Sequence, residues 1–457
     1  MKINNVTLKN FRCFSDLSID LHPELTVIVA ENGQGKSTVL DAMRIGLWPF
    51  LNSIDLATAG TNDPANNISV DDVRVIPTSS ALPMMVRQLP ATVRLTGNYG
   101  EGEMTWGRIR EKETPSSKTI NVDSTKQLES YATRLQSESR DVQKERNVHF
   151  PLLAYYGTGR LWSQKKLTEK KRMGANESEN DPLIRTFGYR DCMDPSSSYR
   201  FFKDWFIWRT EIHIDELLKK RETAPEELAS FIPIQVVRDA TDVFLKETTG
   251  WNSLEYDRLS NKIVLQHPLN GTISVDLLSD GIRSMLAMIG DIAYRCYQLN
   301  PAFGTDAARK TTGIVLIDEI DMHLHPKWQQ VIAAQLREAF PNIQFVVTTH
   351  SPQVLTTVPS NSIKVITEGK IYAAPAGTEG AEASRVLKRV LGVDARPINN
   401  ENTKMLVEYS TLVGEDKWDT DRAREVRKRL DAIYKNEEPL LDELDMIIEN
   451  RKWELGK

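Results

Sequence analysis

Four short stretches of the chain are apolar almost without interruption: Leu25–Val29, Leu152–Tyr156, Ile314–Ile317 and Gln344–Thr348. Runs of this length, rich in β-branched residues, predict strands of a parallel sheet covered on both faces. Alternating patterns predict antiparallel strands elsewhere. Two short strands surround Leu8–Phe14, a hairpin occupies Ala91–Glu111 with Asn98-Tyr99-Gly100 at its turn, and another covers Leu254–His267 and Gly271–Val275. Apolar residues at helical spacing predict helices over Tyr199–Arg221, Pro225–Lys246, Leu277–Cys296 and Lys327–Phe340. In the first of these Phe202, Trp205, Phe206, Ile212 and Leu217 form a packing face. Thr114–Asn147, charged and Ser-rich, reads as a surface helix with a loose flank. The last eighty or so residues differ in kind: Glu382–Leu391, Thr420–Tyr434 and Glu437–Trp453 read as charged amphipathic helices. On the last, Leu440, Leu441, Leu444, Ile447 and Ile448 share one face.

These elements predict an α/β fold with five regions. Residues 1–50 form an N-terminal lobe, 51–150 a β-hairpin and polar insertion, and 151–270 a helical insertion. Residues 271–375 form a second lobe of the sheet, and 376–457 a helical C-terminal region for packing or partner docking.

Composition narrows the class. The chain has 457 residues, 40% hydrophobic and 26% charged, an ordinary globular profile. No apolar run reaches transmembrane length, and the first twenty residues lack the apolar core of a signal peptide. Cys13, Cys192 and Cys296 are too scattered for a disulfide framework or a zinc site, so a reducing cytoplasm is the expected location. The net charge of −5 excludes a basic nucleic-acid binder, so any such contact must be local. Two basic stretches qualify, Lys165–Asp181 with Lys171 and Arg172, and the stripe Arg422, Arg424, Arg427, Lys428 and Arg429. A solvated loop and a solvated helix face are the plainer readings of both.

The chemistry sits at strand ends. Ile314–Ile317 runs directly into Asp318 and Glu319, and burying ionised carboxylates demands cations or a bound substrate. In open α/β sheets ligands lie at the carboxyl ends of strands. The pair therefore reads as a nucleotide site, with Asp318 holding Mg²⁺ and Glu319 orienting the attacking water. The alternative, two solvated loop acids, recedes once the partner motifs are found. After Leu25–Val29 comes AENGQGKST, Ala30 to Thr38, a strand followed by a glycine-rich loop and a helix starting near Ser37. This is a phosphate loop. Gly33 and Gly35 let backbone amides face phosphates, Lys36 reaches the β- and γ-phosphates of ATP, and Ser37 ligates Mg²⁺, with Asn32 and Thr38 flanking them. Ala30 stands where the pattern has its first glycine. Ser279, in Leu278-Ser279-Asp280-Gly281, is the expected N-cap of a long helix, with amides open to an anion. Thr349-His350-Ser351 places a histidine at the end of Gln344–Thr348, facing the γ-phosphate. Gly157-Thr158-Gly159-Arg160 reads either as a second loop facing the site or as a plain turn.

The order of phosphate loop, LSDG, DEIDMHLHP and THS resembles the ABC-type ATPase heads of the SMC and RecF-like group. The resemblance implies a P-loop NTPase head with a mixed central sheet, an N-terminal antiparallel β lobe, an inserted helical lobe and a helical tail. It further implies that two heads sandwich ATP, with Ser279 and Gly281 capping the γ-phosphate of a partner's nucleotide. Asp321 would lie in the loop coupling the two sites, His350 would sense the γ-phosphate, and Arg12 would match the group's nucleotide-contacting arginine. LSDG departs from the group's LSGGQ at Asp280 and Ile282. No heptad run fills the 282 residues between Lys36 and Asp318 (318 − 36), which excludes the long-armed members.

YYGTGRLW, LSDGIRS, IDEIDMHLHPKWQ, THSPQVL and LLDELDMIIENRKW together resemble the PtuA-type ATPases of Septu and retron anti-phage systems. That resemblance implies an ATPase in a homodimer or larger assembly, with an HNH nuclease of the PtuB kind as partner and nucleic acid as the target of the complex. A retron reverse transcriptase and its DNA extend the expected partners. The alternatives are a RecF-like DNA-repair ATPase and a nucleotide-sensing scaffold without turnover. An in-chain nuclease of TOPRIM type would need Glu368 and the pair Asp419 and Asp421 at strand ends. Gly414–Trp418 does not read as a strand, so no nuclease site is expected.

Overall fold

A computed structural model describes residues 1–57, 64–78, 84–160, 181–194, 198–220 and 228–454. Lys165, Lys171 and Arg172, read above as basic loop residues, lie outside the described residues. The chain divides into two compact units, residues 1–386 and 387–457.

The first unit opens with strands β1 (Lys2–Phe11), β2 (Phe14–Asp20) and β3 (Leu25–Ala30), then helix α1 (Lys36–Asn52). A short ribbon, β4 (Val75–Pro77) and β5 (Met85–Arg87), precedes β6 (Ala91–Asn98), β7 (Glu103–Arg110), β8 (Ile120–Asp123) and α2 (Thr125–Ser139). Next come β9 (Leu152–Tyr156), α3 (Ser198–Lys219), α4 (Ile232–Thr249), and β10 (Asn252–Asp257), β11 (Lys262–His267) and β12 (Gly271–Ser274). Then follow α5 (Asp280–Leu299), α6 (Ala307–Lys310), β13 (Gly313–Ile317), α7 (Pro326–Gln329), α8 (Ile332–Ala339) and β14 (Ile343–Thr348). The unit closes with α9 (Pro352–Leu355), β15 (Ile363–Thr367), β16 (Lys370–Ala373) and the start of α10 (Ala383–Arg389).

The central sheet has the order β16-β15-β3-β14-β13-β9, parallel except for the edge strand β16. Every residue of β3, β9, β13 and β14 is buried, which accounts for their uninterrupted apolar sequences. Because β3, β13, β14 and β9 run the same way, the phosphate loop, the acid pair, Thr349-His350 and Gly157-Thr158 all leave the sheet at one edge.

A second sheet, β2-β1-β6-β7-β8, is antiparallel throughout. The predicted hairpin at residues 91–111 thus continues the N-terminal sheet, with β6 paired to β1. Buried polar groups join the two sheets. Gln344 on β14 accepts the Ile3 N–H at 2.8 Å and donates to the Ile3 carbonyl at 2.8 Å. Ile3 keeps its partner on β6 but lies beyond the β1–β2 pairing, which begins at Asn5, so a side-chain amide satisfies backbone that β2 does not reach. Pro49 inside α1 has no N–H for the Ile45 carbonyl, and buried Arg108 on β7 reaches that carbonyl at 3.4 Å while also donating to Asn66 O. Burial lowers the Arg108 pKa to about 10.

Helices α3, α4 and α5 pack together beside the three-stranded sheet β10-β11-β12. Phe202, Trp205 and Phe206 on α3 are fully buried, and Trp205 lies 4.4 Å from Tyr294 of α5. The predicted continuous helix Lys327–Phe340 is broken instead into α7 and α8. The ladder tightens at Val331, whose N–H donates to the Trp328 carbonyl three residues back, and Gln329 turns back to donate to the Leu324 carbonyl at 2.9 Å. The first piece serves the loop before it, and the second buries Ile332, Ala333 and Leu336.

The second unit contains α11 (Glu401–Gly414), α12 (Asp421–Tyr434) and α13 (Pro439–Glu454). They close on a core that includes Leu406, Val413, Val426, Leu430, Leu441 and Leu444. Ile447, read above as part of the apolar face of the last helix, is 47% exposed. Helix α11, which carries no expectation above, buries Leu406, Tyr409 and Val413 at helical spacing. The basic stripe is largely paired with acids: Arg422 with Glu408, Arg424 with Asp421, Arg427 with Asp431 and Asp445, and Arg429 with Glu425. It is the solvated, self-neutralised face. Asp421 opens α12 rather than ending a strand, and Glu368 occupies the β15–β16 turn at φ +49°.

Gly313 faces Leu152 across the β13–β9 ladder at φ +157°, and an added Cβ would lie 2.0 Å from the Leu152 carbonyl oxygen. Backbone cannot yield there as a side chain can. Gly313→Ala is expected to destabilise the first unit by about 3 kcal/mol or more, measured by denaturant unfolding.

Candidate functional site

The phosphate loop connects β3 to α1. Gly33 (φ +79°) and Gly35 (φ +97°) both take the left-handed conformation. A Cβ on Gly35 would lie 2.5 Å from the Phe14 ring and 2.6 Å from Cys13 Sγ, so glycine is also required by space. At Gly33 nothing lies within 4 Å of that position, leaving one side of the loop open. Gly35 caps α1, so the first-turn amides of Lys36, Ser37 and Thr38 emerge at the positive end of a 17-residue helix. Asn32 and Ser37 are exposed, and Thr38 is buried. Lys36 is 8% exposed and donates to the Ala30 carbonyl at 2.7 Å and the Glu31 carbonyl at 3.1 Å. Burial lowers its pKa, and Asp318, Glu319 and Asp321 oppose that shift.

The acid pair converges on the same place. Ser37 donates to Asp318 Oδ2 at 2.8 Å across 281 residues of sequence. Thr348, the last residue of β14, donates to Asp318 Oδ1 at 2.5 Å. The Asp318 backbone is fixed as well, its N–H donating to the Tyr156 carbonyl at 2.8 Å. Glu319 turns out of the strand at φ +48°, in the left-handed region where non-glycine residues are strained. Its N–H donates to Thr348 Oγ1 at 2.7 Å. Asp321 accepts from Thr349 Oγ1 at 2.5 Å. His350, half-buried at the end of β14, has no hydrogen-bond partner among the described residues.

The donor set fits a magnesium–triphosphate ligand. Two cis ligands of an octahedral Mg²⁺ at 2.0–2.1 Å stand about 2.9 Å apart, close to the Ser37–Asp318 separation of 2.8 Å. Ser37 and Asp318 would hold the ion. Lys36 and the amides after Gly33 would take the phosphates, and Glu319, near enough to Lys36 to act on its charge, would orient an attacking water.

Not every expected residue joins this cluster. Arg12 is held by Asp41 at 2.7 Å and Asp72 at 2.8 Å, so its nearest partners are carboxylates rather than an open phosphate position. Ser279 and Gly281 stand at the start of α5, and among the described residues no hydrogen bond links them to the phosphate loop. Ser279 is exposed and caps α5 with no side-chain hydrogen bond. Asp280, the departure from LSGGQ, is paired with Arg283 one turn on. Gly281 has a contact within its own chain: a Cβ there would lie 2.2 Å from the His323 carbonyl oxygen, in the loop that carries Asp321.

Three residues of this constellation carry no role in the sequence reading. Thr348 and Thr349 form the link between β14 and the acid loop, and two hydroxyls directly before His350 were the available signal. Tyr156 donates to Asp291 of α5 at 2.7 Å, and Asp291 also accepts from Arg295 at 2.8 Å, all fully buried. Burial opposes the Arg295 charge, and Asp291, Tyr156 and Cys192 together more than offset it. Nothing in the local sequence pairs Tyr156 with a residue 135 positions away.

Residues 5–231 match a family described as AAA domain, and residues 197–356 one described as AAA domain, putative AbiEii toxin, Type IV TA system. The chain is 30% identical over 505 aligned positions to the Retron Ec83 probable ATPase of Escherichia coli, covering 99% of this chain and 88% of that protein. It is 28% identical over 211 positions to Septu protein PtuA of Bacillus thuringiensis, covering 42% of this chain and 48% of that one. Among solved structures it is similar to an SMC head domain from Thermotoga maritima, with 16% identity, a TM-score of 0.43, and coverage of 82% of this chain and 99% of that one.

Removing the Lys36 charge-assisted contacts is expected to weaken ATP binding by about 10- to 100-fold. Titration of a fluorescent ATP analogue into Lys36→Ala and wild type, with unfolding curves showing both intact, checks this.

Proposed function

The chain belongs to the family of retron ATPases and is similar over part of its length to Septu protein PtuA, and from that premise we propose that it is the ATP-hydrolysing subunit of an anti-phage complex. It would control a separate HNH nuclease acting on nucleic acid. The observation that carries the reading is the Ser37–Asp318 hydrogen bond at 2.8 Å, which unites the phosphate loop with the acid pair.

Lys36 and the first-turn amides of α1 bind the β- and γ-phosphates of ATP. Ser37 and Asp318 hold Mg²⁺, which when bound supplies charge neutralisation at the phosphate oxygens. Glu319 accepts a proton from the water whose oxygen attacks the γ-phosphorus as the bond to the ADP oxygen breaks. His350 faces the departing phosphoryl group with a ring free to donate. Ser279 and the amides at the start of α5 close the site of a second copy, in a head-to-tail pair. Asp280, paired with Arg283, keeps its charge from opposing the phosphate there.

Control of the nuclease follows from differential binding. A partner that prefers one nucleotide state of the pair is held or released as ATP is bound or spent. The HNH partner rests on the likeness to a Septu protein, and association with a reverse transcriptase and its DNA rests on the likeness to a retron ATPase.

Glu319→Gln is expected to lower phosphate release by about 10²–10⁴-fold while retaining ATP binding, and to accumulate as an ATP-dependent dimer in sedimentation. Wild-type release no faster than this variant's would leave a scaffold without turnover. Purification with the products of its neighbouring genes is expected to bring down an HNH protein in an ATP-dependent manner, and its absence with and without ATP would end the nuclease-control reading.

A further inference from the structure

Thr348 touches three consecutive residues at the end of β13. Its hydroxyl donates to Asp318 Oδ1 at 2.5 Å, the same oxygen atom accepts the Glu319 N–H at 2.7 Å, and its carbonyl accepts the Ile320 N–H at 3.0 Å. The residue is fully buried, so water does not compete for these bonds. Each contact has a separate consequence. The bond to Oδ1 fixes the Asp318 carboxylate with Oδ2 toward Ser37. The bond from Glu319 satisfies an amide that the turn at φ +48° takes out of the β13 ladder. The carbonyl contact secures the residue after the turn.

We propose that Thr348 is a positioning residue that sets both acids at once. It orients Asp318 toward the magnesium ion and holds Glu319 in its strained conformation above the water. The inference rests on the nucleotide-site reading and adds to it the group that presets the acids. A hydroxyl is the smallest group that donates to a carboxylate and accepts an amide through one atom. Valine keeps the shape and loses both bonds. Serine keeps both bonds and loses a methyl group.

Loss of a group that orients a metal ligand typically costs 10- to 100-fold in metal affinity. Thr348→Val is therefore expected to raise the Mg²⁺ concentration for half-maximal binding of a fluorescent ATP analogue about tenfold or more, with binding at saturating Mg²⁺ near wild type. Thr348→Ser is expected to restore the wild-type midpoint. In turnover assays at saturating Mg²⁺ the valine variant is expected to lose kcat rather than gain KM, because Glu319 remains misplaced. If the valine variant does not fold, Thr348→Ala carries the same titration. A magnesium midpoint unchanged in the folded variants overturns the inference even where wild type hydrolyses ATP. Wild type that binds the analogue with magnesium but releases no phosphate overturns the turnover reading, and the midpoint still decides the role of Thr348. Wild type with no magnesium-dependent binding overturns both.

Discussion

A carboxylate 5% exposed at the end of a buried strand is costly unless both its oxygens are satisfied. Asp318 meets that requirement with one hydroxyl from the helix after β3 and one from the end of β14. Those two strands, with β13, form the middle of the sheet. The order β3-β14-β13 is thus the arrangement that delivers two hydroxyls to one acid. The apolar sequences of the strands follow from it, since helices must cover both faces of a parallel sheet.

The same economy extends to α5. Tyr156 gives its carbonyl to the Asp318 amide and its hydroxyl to Asp291, so the helix that starts at Asp280 is tied to the acid strand midway along its length. At its first turn the helix meets the His323 carbonyl with no side chain between. Helix α5 is therefore close to the acid strand at two levels, at Asp291 through Tyr156 and at Gly281 beside the His323 carbonyl. Closure of a second copy over Ser279 would press on a structure already coupled to the acids.

The sequence made the strands legible because burial on both faces leaves a compositional trace, and it made the phosphate loop legible because Gly33 and Gly35 need the left-handed conformation. Asp318, Glu319 and His350 were readable as strand ends. Thr348 was not, because a threonine closing an apolar strand looks like any β-branched residue until its partner strand is known. Tyr156 was hidden for the same reason. Arg12 is legible as a match to a pattern, yet its ion pairs reach Asp41 on α1, 29 residues on, and Asp72, sixty residues on, beyond local reading. The break between α7 and α8 also escapes periodicity. Apolar spacing continues through Val331, while the Gln329 side chain serves the preceding loop.

The fold-back of Lys36 onto the Ala30 and Glu31 carbonyls has a consequence for binding. A phosphate oxygen that reaches Lys36 would replace neutral carbonyl acceptors with charged ones, a stronger hydrogen bond. A ligand that reaches both the lysine and the helix amides would thus meet this cation and the helix end together.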